Sequence, residues 1–181
     1  MRKLNFEIRW ICLVAVFMAL TVVLSSFGIP VPGGHFYFND VVICLASLFL
    51  DPLGAFLVGG IGAFLGDFFF YPAPMFVSLI THGLQAITIS LFSNYVLKKK
   101  PVLSAILGCI IGSLIEVLGY SLGRAFIYST PEYALLKLPF QFLQAGLGSF
   151  IALMLGFKGH FVRVGRNFLS LQRNQKTKED K

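Results

Sequence analysis

The sequence predicts an all-α integral membrane protein with six transmembrane helices and both termini on the cytoplasmic side. Of its 181 residues, 56% are hydrophobic and only 13% are charged, about half the charged content of soluble domains. The positive charges are also unevenly placed, because 13 of the 15 Lys and Arg residues lie within residues 2–9, 98–100 and 158–181. Cationic side chains collect on the cytoplasmic side of a membrane, so these three clusters mark that side.

Breaks in the apolar sequence divide it into the predicted spans. A spanning helix needs about 20 mostly apolar residues, and Gly, Pro or charged residues interrupt the apolar pattern between such stretches. The predicted spans are residues 8–27, 39–50, 53–70, 75–97, 102–128 and 140–157. The loops at 28–38, 71–74 and 129–138 then face outside, and they carry a single cation, Lys137.

The first two spans differ from an ordinary membrane helix, the first in its basic start and the second in its length. Span 8–27 follows a basic start like that of a signal peptide. However, the span is long and no Ala-x-Ala cleavage site precedes Pro30, which favours a mature helix. Span 39–50 is short, and it crosses the membrane alone only with tilt or local thinning of the bilayer.

Two helix starts are predicted from capping residues. Asp51 before Pro52 is typical of an N-cap with proline at the first helical position, and it begins the third span. Thr130 before Pro131 gives the same pattern ahead of the sixth span. There it predicts a short interfacial helix over residues 133–138, separate from the span itself.

The chain divides into a six-helix domain, residues 1–160, and a basic cytoplasmic tail, residues 161–181. The first part of the tail repeats apolar residues at helical spacing among arginines, which predicts an amphipathic helix on the inner membrane surface. The polar run after Gln172 predicts disorder. The net charge of +7 is explained by topology and anionic lipid rather than nucleic acid, because no aromatic residues interleave with the basic ones on a polar face.

No cofactor or metal site is predicted. The three cysteines lie inside apolar runs and have neither CxxC nor histidine spacing, so we interpret them as packing residues. The chain also contains no nucleotide-binding loop that we can detect, so any energy for transport must come from another protein.

Four ionisable residues interrupt the apolar spans. Each costs about 2.5 to 3.5 kcal/mol on insertion, so such residues face the bundle interior or a cavity. The predicted topology puts them in the outer half of the membrane or at its midplane, together with polar residues that begin the second and sixth spans. The full set is Asp67, His82, Glu116, Arg124, Asn39, Asp40, Gln141 and Gln144.

Helical spacing brings these polar residues onto shared faces, because residues four apart lie on one side of a helix. Three stripes result: Ser78, His82 and Gln85; Glu116, Tyr120 and Arg124; Gln141, Gln144 and Gly148. Internal ion pairs, such as Glu116 with Arg124 or Asp67 with His82, are the alternative explanation. The concentration in one leaflet favours a blind, outward-facing binding pocket over a relay or a channel.

The pocket residues suggest the kind of ligand. Tyr71 and Tyr120 supply ring faces, which are typical of a site for a flat aromatic molecule gripped by a few polar groups. Residues 28–35 contain enough Gly and Pro to act as a lid over such a site, and they fit a simple connector equally well.

Small residues spaced four apart allow close helix packing in lipid. Most such pairs here are expected to pack inside the bundle. Ala15 and Ala19 differ because they lie on the first helix in a bulky face, so either internal packing or contact with a partner protein is open.

The Ala15-x-x-x-Ala19 pattern, the Gly-Pro loop and the outward polar pocket together resemble the S components of energy-coupling factor (ECF) vitamin transporters. The segments Phe38-Asn39-Asp40, 59–67 and Tyr71-Pro72 resemble the subgroup that carries hydroxymethylpyrimidine and pyridoxine. The resemblance implies a prokaryotic cell-membrane protein whose Ala15 and Ala19 contact a transmembrane coupling subunit (T component) driven by two cytoplasmic ATPases. It also implies that the S component topples in the membrane to deliver its vitamin.

Hydroxymethylpyrimidine is the first candidate substrate, because the carboxylate of Glu116 can engage an aminopyrimidine edge as a fork. Tyr120 or Tyr71 would stack on the ring, and Gln144, His82 or Asn39 would contact the hydroxymethyl group. Pyridoxine or pyridoxamine would use nearly the same groups. An anionic vitamin such as pantothenate fits less well, since Arg124 is the one cation expected near the pocket.

An intramembrane enzyme and a structural membrane subunit are the alternatives to a transporter S component. An intramembrane enzyme is disfavoured because the sequence has no HExxH motif and no Ser-His dyad on one side of the membrane. A structural membrane subunit that transports nothing remains open, and it would show no stabilisation by a ligand.

Overall fold

The computed structural model describes residues 8–179, with side chains for residues 8–170. Arg2, Lys3 and Lys181 of the basic clusters therefore lie outside the described residues. A β-hairpin follows the first helix, with antiparallel strands β1 (Ile29–Val31) and β2 (Gly34–Phe36). The helices are α1 (Ile8–Ser25), α2 (Asn39–Ser47), α3 (Pro52–Phe70), α4 (Met75–Tyr95), α5 (Pro101–Tyr128), α6 (Pro131–Lys158) and α7 (Phe161–Glu179).

Five helices in the described part of the chain, α1 and α3 to α6, are long and apolar enough to cross a membrane. This confirms the predicted helical membrane class. The predicted second span is different, because α2 has only nine residues and a turn follows it to Leu50. Six spanning helices therefore stay a prediction.

Helix α2 nevertheless connects the two ends of the bundle. At its start the Asn39 amide donates to Ser25 Oγ at the end of α1 (3.1 Å). After its last turn, Asp51 Oδ1 accepts from the indole N–H of Trp10 near the start of α1 (2.6 Å). The segment 39–51 thus covers the same length as most of α1, and eight of the nine α2 residues are buried.

The predicted start of α3 is confirmed. Asp51 Oδ1 accepts from the backbone N–H of Gly54, and Pro52 occupies the first helical turn, where its missing N–H costs nothing. Three of the long helices also contain a five-residue π-helical turn, at Leu57–Ile61 in α3, Arg124–Tyr128 in α5 and Met154–Lys158 in α6.

The start of α6 differs from the prediction. Helix α6 begins at Pro131 as expected, although the Thr130 side chain makes no capping hydrogen bond. The helix continues through Pro139 without a break. The separate interfacial helix over residues 133–138 is therefore wrong, and these residues are the first turns of the sixth span. A proline inside a membrane helix removes one backbone hydrogen bond, and neighbouring helices can compensate for that loss.

We name the two ends of the bundle by what covers them, the hairpin end and the α7 end. At the α7 end, the Arg166 guanidinium donates to the carbonyls of Leu48 and Ser93 (both 3.1 Å), and Val162 and Gly165 are buried against the bundle. This confirms a helix in the tail. Its backbone continues to Glu179, so the predicted disorder after Gln172 is wrong over 173–179, a stretch without Gly or Pro.

The hairpin lies against the first turns of α6. Gly33 has φ +79° and Gly34 has φ +150°, conformations that favour glycine. A Cβ on Gly33 would lie 2.7 Å from the backbone nitrogen of Lys137 and from the carbonyl oxygen of Tyr133. The loop that the sequence presents as either a lid or a connector is thus a hairpin in close contact with α6.

Candidate functional site

A buried carboxylate held by two amides lies near the centre of the polar residues. Glu116 on α5 accepts one hydrogen bond from Gln85 Nε2 on α4 and one from Gln141 Nε2 on α6, each 2.9 Å long. Glu116 itself is 0% exposed. Because a buried carboxylate is costly unless it is hydrogen-bonded, these two amides stabilise it in place.

A second carboxylate, Asp40 at the start of α2, lies beside the first. Asp40 Oδ2 accepts from Gln144 Nε2 (2.7 Å), and Asp40 Oδ1 is 3.5 Å from His82 Nδ1. His82 Nδ1 is in turn 2.7 Å from Gln85 Oε1. Since Gln85 Nε2 donates to Glu116, its Oε1 accepts here, and His82 Nδ1 carries the proton. His82 and Gln85 thereby link the two carboxylates.

Glycine at position 148 makes this arrangement possible. A Cβ on Gly148 would lie 2.5 Å from the Asp40 Cβ, so any larger residue would push α2 away from α6. The predicted stripe of Gln141, Gln144 and Gly148 therefore faces Asp40 and Glu116 along its whole length.

A third carboxylate joins the group through a hydroxyl. Ser78 donates a hydrogen bond to Asp67 Oδ2, and the Tyr120 hydroxyl donates to Ser78 Oγ (2.6 Å). The Tyr120 ring also lies edge-on to His82, with centroids 5.2 Å apart. Asp67 is therefore connected to His82 through Ser78 and Tyr120.

These residues form one connected group, which we call the hairpin-end cluster. The structure brings together most of the residues predicted for the pocket, and they contact one another directly. The members are Asp40, Asp67, Ser78, His82, Gln85, Glu116, Tyr120, Gln141 and Gln144.

Three predicted site residues lie beside the cluster rather than in it. The Asn39 amide bonds Ser25, and the Tyr71 ring lies edge-on to His35 at 5.8 Å. The Arg124 guanidinium is over the Tyr128 ring, 5.6 Å from its centroid. Neither internal ion pair, Glu116 with Arg124 or Asp67 with His82, is formed among the described residues.

Lys137 is a residue of this region that the sequence interpretation missed, because it places Lys137 in an outer loop. It is 1% exposed, and its Nζ donates to the His35 carbonyl of the hairpin (2.6 Å) and lies 3.5 Å from Gln144 Oε1. Lys137 precedes Gln141 by four residues and Gln144 by seven, so it extends their stripe. That spacing could have identified it if α6 had been started at Pro131.

The hairpin and the residue after it close this end of the cluster. The backbone N–H of Tyr37 donates to Gln144 Oε1 (3.2 Å), and Lys137 holds the carbonyl of His35. Burial raises the pKa of Tyr37 to about 12, so its hydroxyl stays protonated at neutral pH. Gln144 is thus bonded both to the cover and to Asp40.

The small residues of α1 face away from the bundle. Ala15 and Ala19 are both exposed, on the side opposite the buried Val14 and Thr21. Internal packing is therefore the wrong explanation for these two alanines. They lie in an exposed apolar face that includes Ile11, Val16, Leu20 and Val23.

Comparison with known proteins relates the chain to a family and to a curated protein. A family model described as "ECF-type riboflavin transporter, S component" matches residues 5–159, a range that contains the hairpin, α1 to α6 and the whole cluster. A curated relative from Pyrococcus woesei, described as an uncharacterized protein in the gap 3'region, is 29% identical over 141 residues. The match covers 77% of this chain and 93% of the relative.

Proposed function

We propose, from the premise that the chain belongs to the ECF-type riboflavin transporter S component family, that the hairpin-end cluster binds a vitamin for import. S components bind small vitamins and work with a T component and ATPases. The observation that carries the proposal is the pair of buried carboxylates, Asp40 and Glu116, enclosed by three glutamine amides beneath a hairpin.

The cluster suits a polar, flat ligand because its groups can exchange partners. In the structure, the amides of Gln85 and Gln141 donate to Glu116, and that of Gln144 donates to Asp40. A ring with donors and acceptors on its edge would replace some of these bonds with equivalent ones, so little hydrogen bonding is lost on binding. The tyrosine and histidine rings beside the amides offer stacking surfaces.

Hydroxymethylpyrimidine is the proposed first substrate. Its amine can donate a hydrogen bond to the Glu116 carboxylate. In addition, a single six-membered ring displaces fewer of the existing hydrogen bonds than a larger ring system does. Tyr120, already edge-on to His82, supplies an aromatic neighbour for the ring. Pyridoxine or pyridoxamine would use the same groups with a different edge.

Riboflavin is the second candidate, on two grounds. The matching family model carries its name. In addition, Gln85 Nε2, the Glu116 carboxylate and Gln141 Nε2 form a donor, acceptor, donor sequence. The imide edge of a flavin ring presents the complementary acceptor, donor, acceptor sequence. The larger ring system would require wider opening of the cluster.

The hairpin end is proposed to face outside. The α7 end carries the described cations Arg9, Lys158, Arg163 and the 98–100 cluster, which supports a cytoplasmic location for it. In a Cys12→Ser background, cysteines introduced at His35 and Pro131 should react with an impermeant reagent on intact cells, and one at Lys99 should not. External labelling at Lys99 would reverse the orientation.

Isothermal titration calorimetry with purified protein tests the substrate proposal. Hydroxymethylpyrimidine, pyridoxine and riboflavin are titrated in parallel, and hydroxymethylpyrimidine is expected to bind tightest. Tighter binding of riboflavin would transfer the assignment to the second candidate. If no vitamin binds and none raises the melting temperature, the chain is a structural subunit and the proposed function is wrong.

A further inference from the structure

Two buried cations lie beside the hairpin-end cluster. Lys137 on α6 is 1% exposed, and Arg124 at the start of the π-helical turn of α5 is 8% exposed. Short π-helical turns occur frequently at functional sites. Each cation extends a predicted polar stripe, Arg124 that of Glu116 and Tyr120, Lys137 that of Gln141 and Gln144.

Both charged groups lie against the hairpin. Lys137 Nζ donates to the His35 carbonyl (2.6 Å), and a Cβ on the preceding residue, Gly34, would lie 3.6 Å from Arg124 Nη2. Consecutive Cα atoms are about 3.8 Å apart, so Lys137 and Arg124 flank one short stretch of backbone. The charge of Arg124 also acts electrostatically on Lys137.

Neither cation has an anionic hydrogen-bond partner among the described residues. Lys137 Nζ contacts two neutral acceptors, the His35 carbonyl and the Gln144 amide, and Arg124 contacts the Tyr128 ring. Gln144 lies between Lys137 and Asp40, bonded to both, so the nearby carboxylate does not neutralise the ammonium directly. Buried charges are ordinarily paired, so this pair lacks its counter-ion.

We propose that Lys137 and Arg124 form a subsite for an anionic oxygen group on the vitamin, a carboxylate or a phosphate. The inference rests on the proposed function of the cluster. The heterocycle would lie at Glu116 and its amides, and the anionic group would lie beside Gly34 and His35, between the two cations. The preferred substrate is then the acidic or phosphorylated form of a nitrogen heterocycle.

The subsite also changes the expected ranking of ligands. The sequence interpretation placed anionic vitamins last, because Arg124 was the one cation expected in the pocket. Lys137 supplies the second cation. In addition, its bond to the His35 carbonyl places the ammonium between the hairpin and the cluster, where a bound anion would contact both.

Matched ligand pairs test the subsite by calorimetry on the full chain. Pyridoxal is compared with pyridoxal phosphate, pyridoxine with 4-pyridoxate, and hydroxymethylpyrimidine with its phosphate. The wild-type protein is expected to bind at least one anionic member about 10-fold to 100-fold more tightly than its neutral partner, since a buried ion pair adds affinity of that order. The phosphate and carboxylate pairs distinguish the two anions.

The variants Lys137→Met and Arg124→Met should each weaken binding of the anionic member about 10-fold more than binding of the neutral member. Lys137→Met also loses the bond to the His35 carbonyl, so the ratio of the two affinities, rather than either affinity alone, is the readout. Lys137→Arg keeps the charge and should keep the preference. Lys158→Met is the matched control, because Lys158 is exposed at the other end of the chain's last span.

The outcomes separate this inference from the proposed function. Equal affinities within every pair, or a preference that survives both methionine variants, overturns the subsite and leaves the vitamin site intact. Failure of every ligand, neutral and anionic, to bind the wild-type protein overturns both.

Discussion

The two ends of the helix bundle use polar side chains in different ways. At the α7 end, side chains complete backbone groups: Arg166 donates to the carbonyls of Leu48 and Ser93, while Ser90 and Asn94 donate to that of Leu50. At the hairpin end, side chains bond mainly to other side chains, through three carboxylates, three amides and a histidine.

The difference supports the proposal that the hairpin end binds the ligand. Carbonyls at helix ends need partners whatever the protein does, so the bonds at the α7 end are structural. The hairpin end retains unused hydrogen-bonding capacity. Of the four buried side-chain atoms without a partner in the described residues, Asn39 Oδ1, Asp40 Oδ1 and Tyr128 OH lie there, and Ser93 Oγ lies at the α7 end. Buried polar atoms are ordinarily paired, so the three atoms at the hairpin end can form hydrogen bonds with a bound molecule or with water.

The largest expected effect concerns neither end but the exposed face of α1. Replacing Ala15 or Ala19 with Trp should abolish association with the T component, because a bulky side chain prevents close approach of two helices. Vitamin affinity should stay within about 2-fold, since these alanines are exposed and face away from the bundle. Co-purification of the variants with the T component and its ATPases measures the effect.

The control for this prediction is Leu118→Trp, which adds the same side chain to an exposed position on α5. It should leave assembly unchanged. Normal complex formation by the alanine variants would mean that this face of α1 contacts lipid alone.

At the hairpin end, Glu116→Gln is expected to have the largest effect on binding. The substitution replaces one carboxylate oxygen, which accepts a hydrogen bond, with an NH2 group, which cannot. That NH2 group would face the donating amide of Gln85 or Gln141. The expected loss is about 2 to 4 kcal/mol, or roughly 30-fold to 1000-fold in affinity. The affinity for hydroxymethylpyrimidine should fall more than the affinity for pyridoxine, because the amine of hydroxymethylpyrimidine is the group that donates a hydrogen bond to the carboxylate.

Ser90→Ala provides the comparison at the opposite end, where it removes a hydrogen bond to Leu50 without touching the cluster. Calorimetry on the two variants should therefore give unequal affinities. Wild-type affinity in Glu116→Gln would make Glu116 a structural charge and remove the preference for an aminopyrimidine.

The hairpin itself is tested by Gly33→Ala. A left-handed residue with a Cβ costs about 1 to 2 kcal/mol, and here the Cβ would also meet the α6 backbone. The closed hairpin should be destabilised, so ligand dissociation in a stopped-flow experiment should be about 5-fold to 30-fold faster. Gly146→Ala is the control, because beyond the adjacent backbone of α6 itself no atom lies within 4 Å of the added Cβ. Equal dissociation rates would show that the hairpin does not hold the ligand.

The smallest effect is expected from Arg166→Met at the α7 end. Arg166 is partly exposed, so loss of its hydrogen bonds to two carbonyls should lower the free energy of unfolding by about 1 kcal/mol. Thermal unfolding in detergent measures this change, and vitamin affinity should be the same as in the wild type. A large loss of affinity would contradict the division between the two ends.

Much of the fold could be predicted because membrane helices are defined by length, apolarity and caps. Pro52 and Pro101 begin long helices where charged residues give way to an apolar run. The starts of α1 and α4 also agree with the prediction. The error at α6 arose because Pro139 and Lys137 are typical of a loop when read alone. In the bundle, Lys137 is buried against the hairpin, a tertiary contact that local sequence does not encode.

For the site, the sequence predicted which helix faces meet but not which side chains are hydrogen-bonded to one another. Helical spacing correctly brought the stripes of His82, Glu116 and Gln141 together. It could not determine that the amides, rather than Arg124, would bond the carboxylates, because that choice depends on helix depth and rotation. The exposed direction of Ala15 and Ala19 likewise required the positions of neighbouring helices.

The most direct test of the central claim, that the hairpin-end cluster binds the vitamin, is mass spectrometry of small molecules that co-purify with the protein. Wild type and Arg166→Met should carry the same nitrogen heterocycle at about one molecule per chain, and Glu116→Gln should carry far less. Retention of the molecule by Glu116→Gln at the wild-type level would contradict the claim. Loss of the molecule from folded Arg166→Met would contradict it as well.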